Sequence, residues 1–429
     1  MNYQQALEYI HSLERFGSKP GLERIRALTE RLGNPQDKLK FVHIAGTNGK
    51  GSTAAFIASV TSAAGYRTGL YTSPYIVRFN ERIKIDGEDI SDEDLAEYAN
   101  RIKSVVDDMF CEGIEHPTEF EVITALAFLY YLEKQCDVVV LETGLGGRFD
   151  ATNVIQSSAV SVITKIEMDH MAILGNTFAQ IAYEKAGIIK EGGKAVTYPQ
   201  EKSALETIEA VCRNRNVTLY YARPDELTGV ELKKGLLAFN HPSLGRIETS
   251  IVGAHQVYNA AVALKAIEAL NEAGFDIHPE QIRQGFRNAS WPGRFELLRT
   301  NPDFYIDGGH NPDGVRSFVN TFKKIYPGRK AIIIFGVMKD KEYETMVAEL
   351  SEIAERFIAV TPDTPRALSA ENLVKVMSMY CQNVDYSDTI KEAVEKTMKL
   401  ASTGDIIASL GSLYYIGQVR TLVCTDYAN

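Results

Sequence analysis

The sequence predicts an α/β fold: a mostly parallel sheet with helices on both faces, followed by a smaller α/β domain. Three observations lead there. Short apolar runs alternate with helical patterns through most of the chain, as in parallel sheets built from strand–helix units. A glycine-rich loop joins the first of those runs to a helical pattern. A helix breaker, Trp291-Pro292-Gly293-Arg294, interrupts the alternation, which then starts afresh. At 429 residues the chain is long for one core. Two domains are therefore expected, residues 1–294 and 295–429.

The N-terminus, Met1 to Arg15, reads as a polar amphipathic helix and not as a signal peptide. Phe41 to Ala45 is a strand feeding the glycine loop, and Gly51 to Ala64 is a helix. Arg67 to Thr72 is the next strand, ending at Thr72-Ser73-Pro74. Arg82 to Ile90 alternates around Asp86-Gly87 and reads as a hairpin. Ser91 with Asp94, and Thr118 with Glu121, are spaced as capping boxes. Phe120 to Leu132 is the longest apolar stretch; a bilayer span needs about 20 residues, so it reads as a buried helix. Asp137 to Leu141 is an apolar strand ending in Glu142, and Val160 to Ile166 another, ending before Asp169-His170. Thr177 caps a helix carrying Lys185. Leu227 to Val252 changes to short alternating strands, a β-rich insert, and His255 to Ala273 is a helix. After Arg294 the clearest strands are Phe304–Asp307, Ala331–Phe335, Arg356–Val360 and Asp405–Ser409.

Composition narrows the function. Net charge is -10, which argues against a nucleic-acid surface and leaves any anionic ligand to a few placed cations. The five cysteines are scattered, odd in number and without metal-ligand spacing, as expected of a reduced cytoplasmic protein.

The loop Gly46-Thr47-Asn48-Gly49-Lys50-Gly51-Ser52-Thr53 carries the strongest chemistry. Glycines let backbone N–H groups close on phosphate oxygens, a helix N-terminus adds a favourable dipole, and Lys50 can reach the outer phosphates. Ser52 can join a magnesium shell or a phosphate. The spacing departs from G-x-x-x-x-G-K-[ST]: two residues separate Gly46 from Gly49, and Gly51 precedes Ser52. Glu142 and His170 each lie just past a buried strand's carboxyl end, where open α/β sheets hold ligands. A carboxylate there suits magnesium, though it can equally cap a helix. Residue chemistry alone leaves His170 a hydrogen-bonding loop residue, and Lys185 a surface lysine beside Glu184.

The loop and a series of further motifs resemble the Mur ligase superfamily, in its folylpolyglutamate synthase/dihydrofolate synthase branch. The motifs run along nearly the whole chain: Gly21-Leu22-Glu23-Arg24-Ile25, Thr72-Ser73-Pro74, Phe79-Asn80-Glu81-Arg82-Ile83 and Glu142-Thr143-Gly144-Leu145-Gly146-Gly147-Arg148-Phe149-Asp150-Ala151-Thr152-Asn153. Asp169-His170, Glu184-Lys185-Ala186-Gly187-Ile188-Ile189-Lys190, Gly253-Ala254-His255-Gln256-Val257-Tyr258-Asn259, Trp291 to Glu296 and Asp307-Gly308-Gly309-His310-Asn311-Pro312 follow in order.

The resemblance implies a phosphate-loop N-terminal domain and a Rossmann-like C-terminal glutamate ligase domain. It implies that Ser52, Ser73, Glu142, His170 and a carbamylated Lys185 hold magnesium. Gly46 to Thr53, Asn259, Arg294, Asp307 and His310 would contact ATP across a cleft that domain closure completes. Lys50, Lys185 and His170 would carry catalysis, and Arg82, Phe120, Arg148 and Asp150 the folate; by its helical position alone Phe120 is equally a core residue. The implied reaction converts a carboxylate into an acyl phosphate, which L-glutamate then attacks to form an amide. Charge stabilisation and exclusion of water would do most of the work. Gly146 to Asn153 resembles members acting on dihydropteroate, whereas members restricted to polyglutamylation more often lack its Arg. A bifunctional, monomeric, cytoplasmic enzyme using ATP and Mg2+ is expected, with no nucleic-acid or membrane partner. A monofunctional folylpolyglutamate synthase and a regulatory nucleotide switch are the alternatives; a peptidoglycan-precursor ligase fits the Thr72-Ser73-Pro74 segment less well.

Overall fold

The computed structural model describes residues 1–13, 17 and 20–427. It divides into two compact units, the first made of Met1–Tyr75, Phe79–Leu227 and Tyr258–Ala289, the second of Ile76–Arg78, Thr228–Val257 and Ser290–Asn429.

The first unit is organised by an eight-stranded sheet. Its strands are β1 (Phe41–Ala45), β2 (Thr68–Tyr71), β3 (Ile83–Ile85), β4 (Glu88–Asp89), β5 (Val138–Glu142), β6 (Val160–Ile163), β7 (Lys194–Thr197) and β8 (Thr218–Tyr221), in the order β4-β3-β2-β5-β1-β6-β7-β8. Pairing is parallel from β2 to β8, and β3 and β4 add an antiparallel edge at the hairpin. β1 and β5 lie at the centre and are buried along their whole length, as continuous apolar runs in parallel sheets require.

The helices of this unit are α1 (Tyr3–Ser12), α2 (Glu23–Arg31), α3 (Lys50–Ala63), α4 (Asp92–Cys111), α5 (Glu119–Glu133), α6 (Met171–Leu174), α7 (Phe178–Ala186), α8 (Lys202–Asn214), α9 (Gln256–Glu272) and α10 (Pro279–Asn288). α1, α2, α4 and α5 cover one face, where Ile10, Ile25, Ile102 and Leu126 pack on Phe41, Tyr71 and Leu141. α3 carries α10: Phe56 stacks on Phe286 at 4.7 Å, and Ser59 donates to the Gly285 carbonyl. α1 is shorter than the sequence predicts, and residues 14 and 15 of that expectation lie outside the described residues.

Thr118 and Glu121 form the reciprocal capping box that their spacing predicts. Ser91 caps Asp94 N–H only one way, because the Asp94 carboxylate turns to Lys134 at 3.0 Å. α5 is buried on most of its surface, and no described helix is long and apolar enough to cross a membrane.

The second unit holds a three-stranded antiparallel sheet, β9 (Thr228–Lys233), β10 (Leu236–His241) and β11 (Gly245–Thr249). Its six-stranded sheet contains β12 (Glu296–Arg299), β13 (Asp303–Asp307), β14 (Ala331–Phe335), β15 (Ala354–Ala359), β16 (Val384–Tyr386) and β17 (Ile406–Leu410), in the order β12-β13-β17-β14-β15-β16. Only β12 is antiparallel. α11 (Pro312–Ile325), α12 (Tyr343–Ser351) and α13 (Ala370–Met377) pack on one face through Phe318, Met346 and Leu373. α14 (Ile390–Leu400) and α15 (Leu413–Asp426) pack on the other through Val394 and Ile416.

The expected single cut at Arg294 differs from this division. Residues 228–257 precede Arg294 yet pack with the second unit, because Val252 and Leu232 join its core and Lys234 pairs with Asp303.

Candidate functional site

β1 delivers the glycine loop at the carboxyl edge of the first sheet, and α3 starts at Lys50 with no side-chain cap. A first helical turn left without a cap offers its N–H groups to an anion. The loop itself is anchored on β6. Thr47 and Asn48 N–H both donate to the Lys165 carbonyl (2.7 and 3.3 Å), and the Thr164 hydroxyl donates to the Asn48 carbonyl. The backbone donors of Thr47 and Asn48 are therefore engaged within the protein, and the uncapped start of α3 at Lys50 follows directly. Gly49 sits at φ +87, and a Cβ there would lie 2.3 Å from Asn259 Oδ1. The close approach brings Asn259, 210 positions on in the chain, beside the loop. Ser52 is buried, and the Thr53 hydroxyl is buried without a hydrogen-bond partner.

Three chain segments converge on that loop. Lys50 Nζ lies 3.7 Å from Glu142 Oε1, and Glu142 Oε2 accepts from Ser73 N–H at 3.3 Å. Glu142 is buried at the end of β5. Lys185, near the end of α7, is 4% exposed and donates to the Gly46 carbonyl at 2.8 Å. Burial first, and the Lys50 charge second, pull its amine down to about 7. His170 is placed differently. It holds φ +50 at the start of α6, its ring is half exposed, and Asp169 Oδ2 lies 3.9 Å away.

Among the described residues, no three His, Cys, Asp or Glu side chains converge on one point. Ser52, Ser73 and Glu142 nevertheless offer hard oxygen donors, which fit magnesium when phosphate oxygens and water complete its shell.

The expected folate residues surround the same sheet edge. The Phe120 ring packs on Gly144, just past Glu142, and tilts against Tyr71. Arg82 lies over the rings of Tyr75 and Phe79, with its buried Nε unpartnered. Arg148 lies over Phe149 and Tyr183 and pairs with Glu184 at 2.8 Å. Asp150 is buried; Leu145 N–H donates to one oxygen, and Thr152 N–H and hydroxyl to the other. Burial raises its carboxyl against the pull of those bonds. Because Thr152 donates to Asp150, it accepts from His43 Nε2 at 2.9 Å. Burial and the Lys190 charge keep that histidine neutral.

In the second unit, Asp307 ends β13 and accepts from Phe295 and Gly309 N–H. Burial raises its carboxyl, opposed by the Arg294 charge. His310 Nδ1 donates to the Gly308 carbonyl at 2.9 Å. The sequence reading missed Gly411 and Ser412, which leave β17 beside the end of β13. The loops leaving these two strands lead to helices on opposite faces, the switch point at which open sheets bind ligands. The signal was a strand running into Gly-Ser and then a helix. Thr164 and Lys165, which anchor the loop, carried no signal.

Two family models match: the Mur ligase middle domain over residues 44–267 and the Mur ligase glutamate ligase domain over 293–413. The chain belongs to the Mur ligase family. Within it, the chain falls in the folylpolyglutamate synthase/dihydrofolate synthase branch. It is 40% identical to the dihydrofolate synthase/folylpolyglutamate synthase of Bacillus subtilis, across 97% of this chain and 98% of that one. It superposes on the folylpolyglutamate synthase of Thermotoga maritima with TM-score 0.86 and 36% identity, covering 100% and 98% of the two chains. The Mycobacterium tuberculosis folylpolyglutamate synthase, solved with ADP and AMPPCP, matches with TM-score 0.88 and 31% identity over 98% and 99%. The Escherichia coli ligase, solved with DHPP and ADP, matches with TM-score 0.86 and 29% identity over 99% and 98%.

Proposed function

We propose that this ligase joins L-glutamate to a folate-type carboxylate at the cost of ATP, and that it accepts both dihydropteroate and a reduced folate. The observation that carries the reading is the uncapped Gly49–Ser52 turn with Lys50 beside the buried Glu142. The Bacillus subtilis and Escherichia coli relatives, each a dihydrofolate synthase/folylpolyglutamate synthase, support the folate assignment.

In this reading the first-turn N–H groups of α3 and the Lys50 ammonium bind the ATP phosphates and stabilise the charge that spreads during transfer. Ser52, Ser73, Glu142, His170 and a carbamylated Lys185 would hold magnesium, which when bound would neutralise phosphate charge. The Lys185 amine is suited to carbamylation, since an amine near 7 is largely neutral at physiological pH. Asn259, Arg294, Asp307 and His310 contribute to nucleotide binding. Phe120 supplies an aromatic face and Arg82 and Arg148 cations for the acceptor, and Asp150 belongs to the same folate-binding set, its carboxylate also ordering the loop from Leu145 to Thr152. The acceptor carboxylate takes the terminal phosphoryl group, and the glutamate amine displaces phosphate from the acyl phosphate. A monomer is carried over from similar ligases, and a cytoplasmic location from the scattered, unpaired cysteine pattern.

Labelled L-glutamate tests this. Its ATP-dependent incorporation into amide product is expected with dihydropteroate and with tetrahydrofolate as separate acceptors. Incorporation with tetrahydrofolate alone would leave a monofunctional folylpolyglutamate synthase, and incorporation with neither would overturn the reading.

A further inference from the structure

Behind Lys185 lies a polar knot to which the proposed reaction gives no part. Lys190 Nζ donates to Asn153 Oδ1 at 2.8 Å, to the Ile155 carbonyl at 2.5 Å and to the Asn153 carbonyl at 3.3 Å. Asn153 Nδ2 turns the other way and donates to the carbonyls of Arg148 (3.0 Å) and Gly187 (3.3 Å). Arg215 donates to the Gly187 carbonyl at 3.2 Å and also to that of Ile189. The Ser161 hydroxyl takes the carbonyl between them, Ile188, at 3.2 Å.

These bonds join two short segments. One is the loop from Arg148 to Ile155, which carries Asp150; the other is the turn Gly187–Lys190, which follows α7 and begins two residues after Lys185. The segments also meet backbone to backbone. Arg148 N–H donates to the Glu184 carbonyl at 2.7 Å, and a Cβ on Gly147 would lie 2.7 Å from the Lys185 carbonyl. An ammonium shielded from water is costly unless its donors are satisfied. Here all three acceptors come from the Asn153–Ile155 segment, so separating the two segments breaks all three of the ammonium's bonds at once. The turn carbonyls of Gly187, Ile188 and Ile189 are held by three side chains, Asn153, Ser161 and Arg215, with Arg215 on two of them. Lys185 thus reaches Gly46 from a helix end that is fixed on three sides.

We propose that Lys190 is a positioning residue for ligation: it ties the loop bearing Arg148 and Asp150 to the turn behind Lys185 and so holds the Lys185 amine against the phosphate loop. The inference rests on the role proposed above for Lys185. Lys190 touches no substrate in this account; it acts through Lys185 and the acceptor loop. Partners of this outer kind typically change activity by about 10- to 100-fold.

The test compares Lys190→Met, Lys190→Arg and Lys185→Ala in the full-length enzyme. Steady-state kinetics with ATP, acceptor and L-glutamate are read beside the carbamate signal of enzyme equilibrated with 13C-bicarbonate. Lys190→Met is expected to lower kcat by about 10- to 100-fold with the KM for ATP little changed, and to weaken the carbamate signal at fixed bicarbonate. More bicarbonate should restore part of that signal, and Lys190→Arg, which keeps the charge, part of the rate. If Lys190→Met does not fold, Lys190→Gln, which keeps a donor without the charge, takes its place. Unchanged kcat and carbamate signal in a folded Lys190 variant, beside an inactive Lys185→Ala, would overturn this inference alone. An active Lys185→Ala would overturn the reading beneath it.

Discussion

Lys185 shows what a single residue can and cannot reveal. Its spacing within the chain is that of a surface lysine, and its burial depends on a carbonyl 139 positions away, at Gly46. Only the resemblance pointed to it. Lys50 and Glu142 were legible because a glycine loop and a strand's carboxyl end are local patterns. The same rule placed His170 past a strand end but by residue chemistry alone left it a hydrogen-bonding loop residue; its ring is half exposed, since strand ends fix a loop's origin and not its side-chain direction. The low amine value of Lys185 has a thermodynamic consequence. The folded value of about 7 lies below the unfolded 10.5, so between them the unfolded chain binds the extra proton and rising pH favours the native state. In bicarbonate-free buffer, the stability of the wild type relative to Lys185→Met should rise by about 1.4 kcal/mol per pH unit above pH 7. Urea unfolding at pH 7 and pH 8.5 measures it, and parallel pH dependences in the two proteins would refute the burial argument.

At the scale of elements, charge pairs and close backbone contacts position the site. Arg24 of α2 donates to Glu121 Oε2 at 3.1 Å, and both side chains are buried. The same carboxylate accepts from Thr118 N–H, so the pair fixes the first turn of α5, which carries Phe120. Arg24→Met should destabilise the fold by about 3–5 kcal/mol, because it leaves a buried carboxylate uncompensated. Chemical denaturation of Arg24→Met and of Arg24→Met/Glu121→Gln checks this, the double variant recovering part of the loss. A cost below 1 kcal/mol for the single variant would contradict the assignment. Gly187 is needed for a different reason: its φ is ordinary, but a Cβ would lie 2.4 Å from Arg148 Cβ and 2.5 Å from its Cα. Gly187→Ala should cost about 1–3 kcal/mol of stability and lower kcat more than it raises the KM for ATP. Thermal unfolding beside steady-state kinetics would show both. The Thr118 capping box was readable from four consecutive residues. The Ser91 box was half realised, since nothing local announces that Lys134 draws Asp94 away.

For the whole molecule, the alternation of apolar runs and helical patterns was enough to predict two α/β units and a mostly parallel first sheet. The alternation does not say which unit a segment joins. The insert from Leu227 to Val252 reads as β-rich from its pattern, but its membership depends on where Leu232 and Val252 find a core, and that core is built from residues after 290. The switch point between β13 and β17 was hidden for the same reason: strands 303–307 and 406–410 become neighbours only through the sheet order. The central claim, that this ligase couples ATP use to amide formation, is tested most directly by phosphate release under four conditions: ATP and magnesium alone, with acceptor, with L-glutamate, and with both. The account predicts sustained turnover only when both are present. Equal release without acceptor or glutamate would mark a nucleotide hydrolase or switch and contradict it.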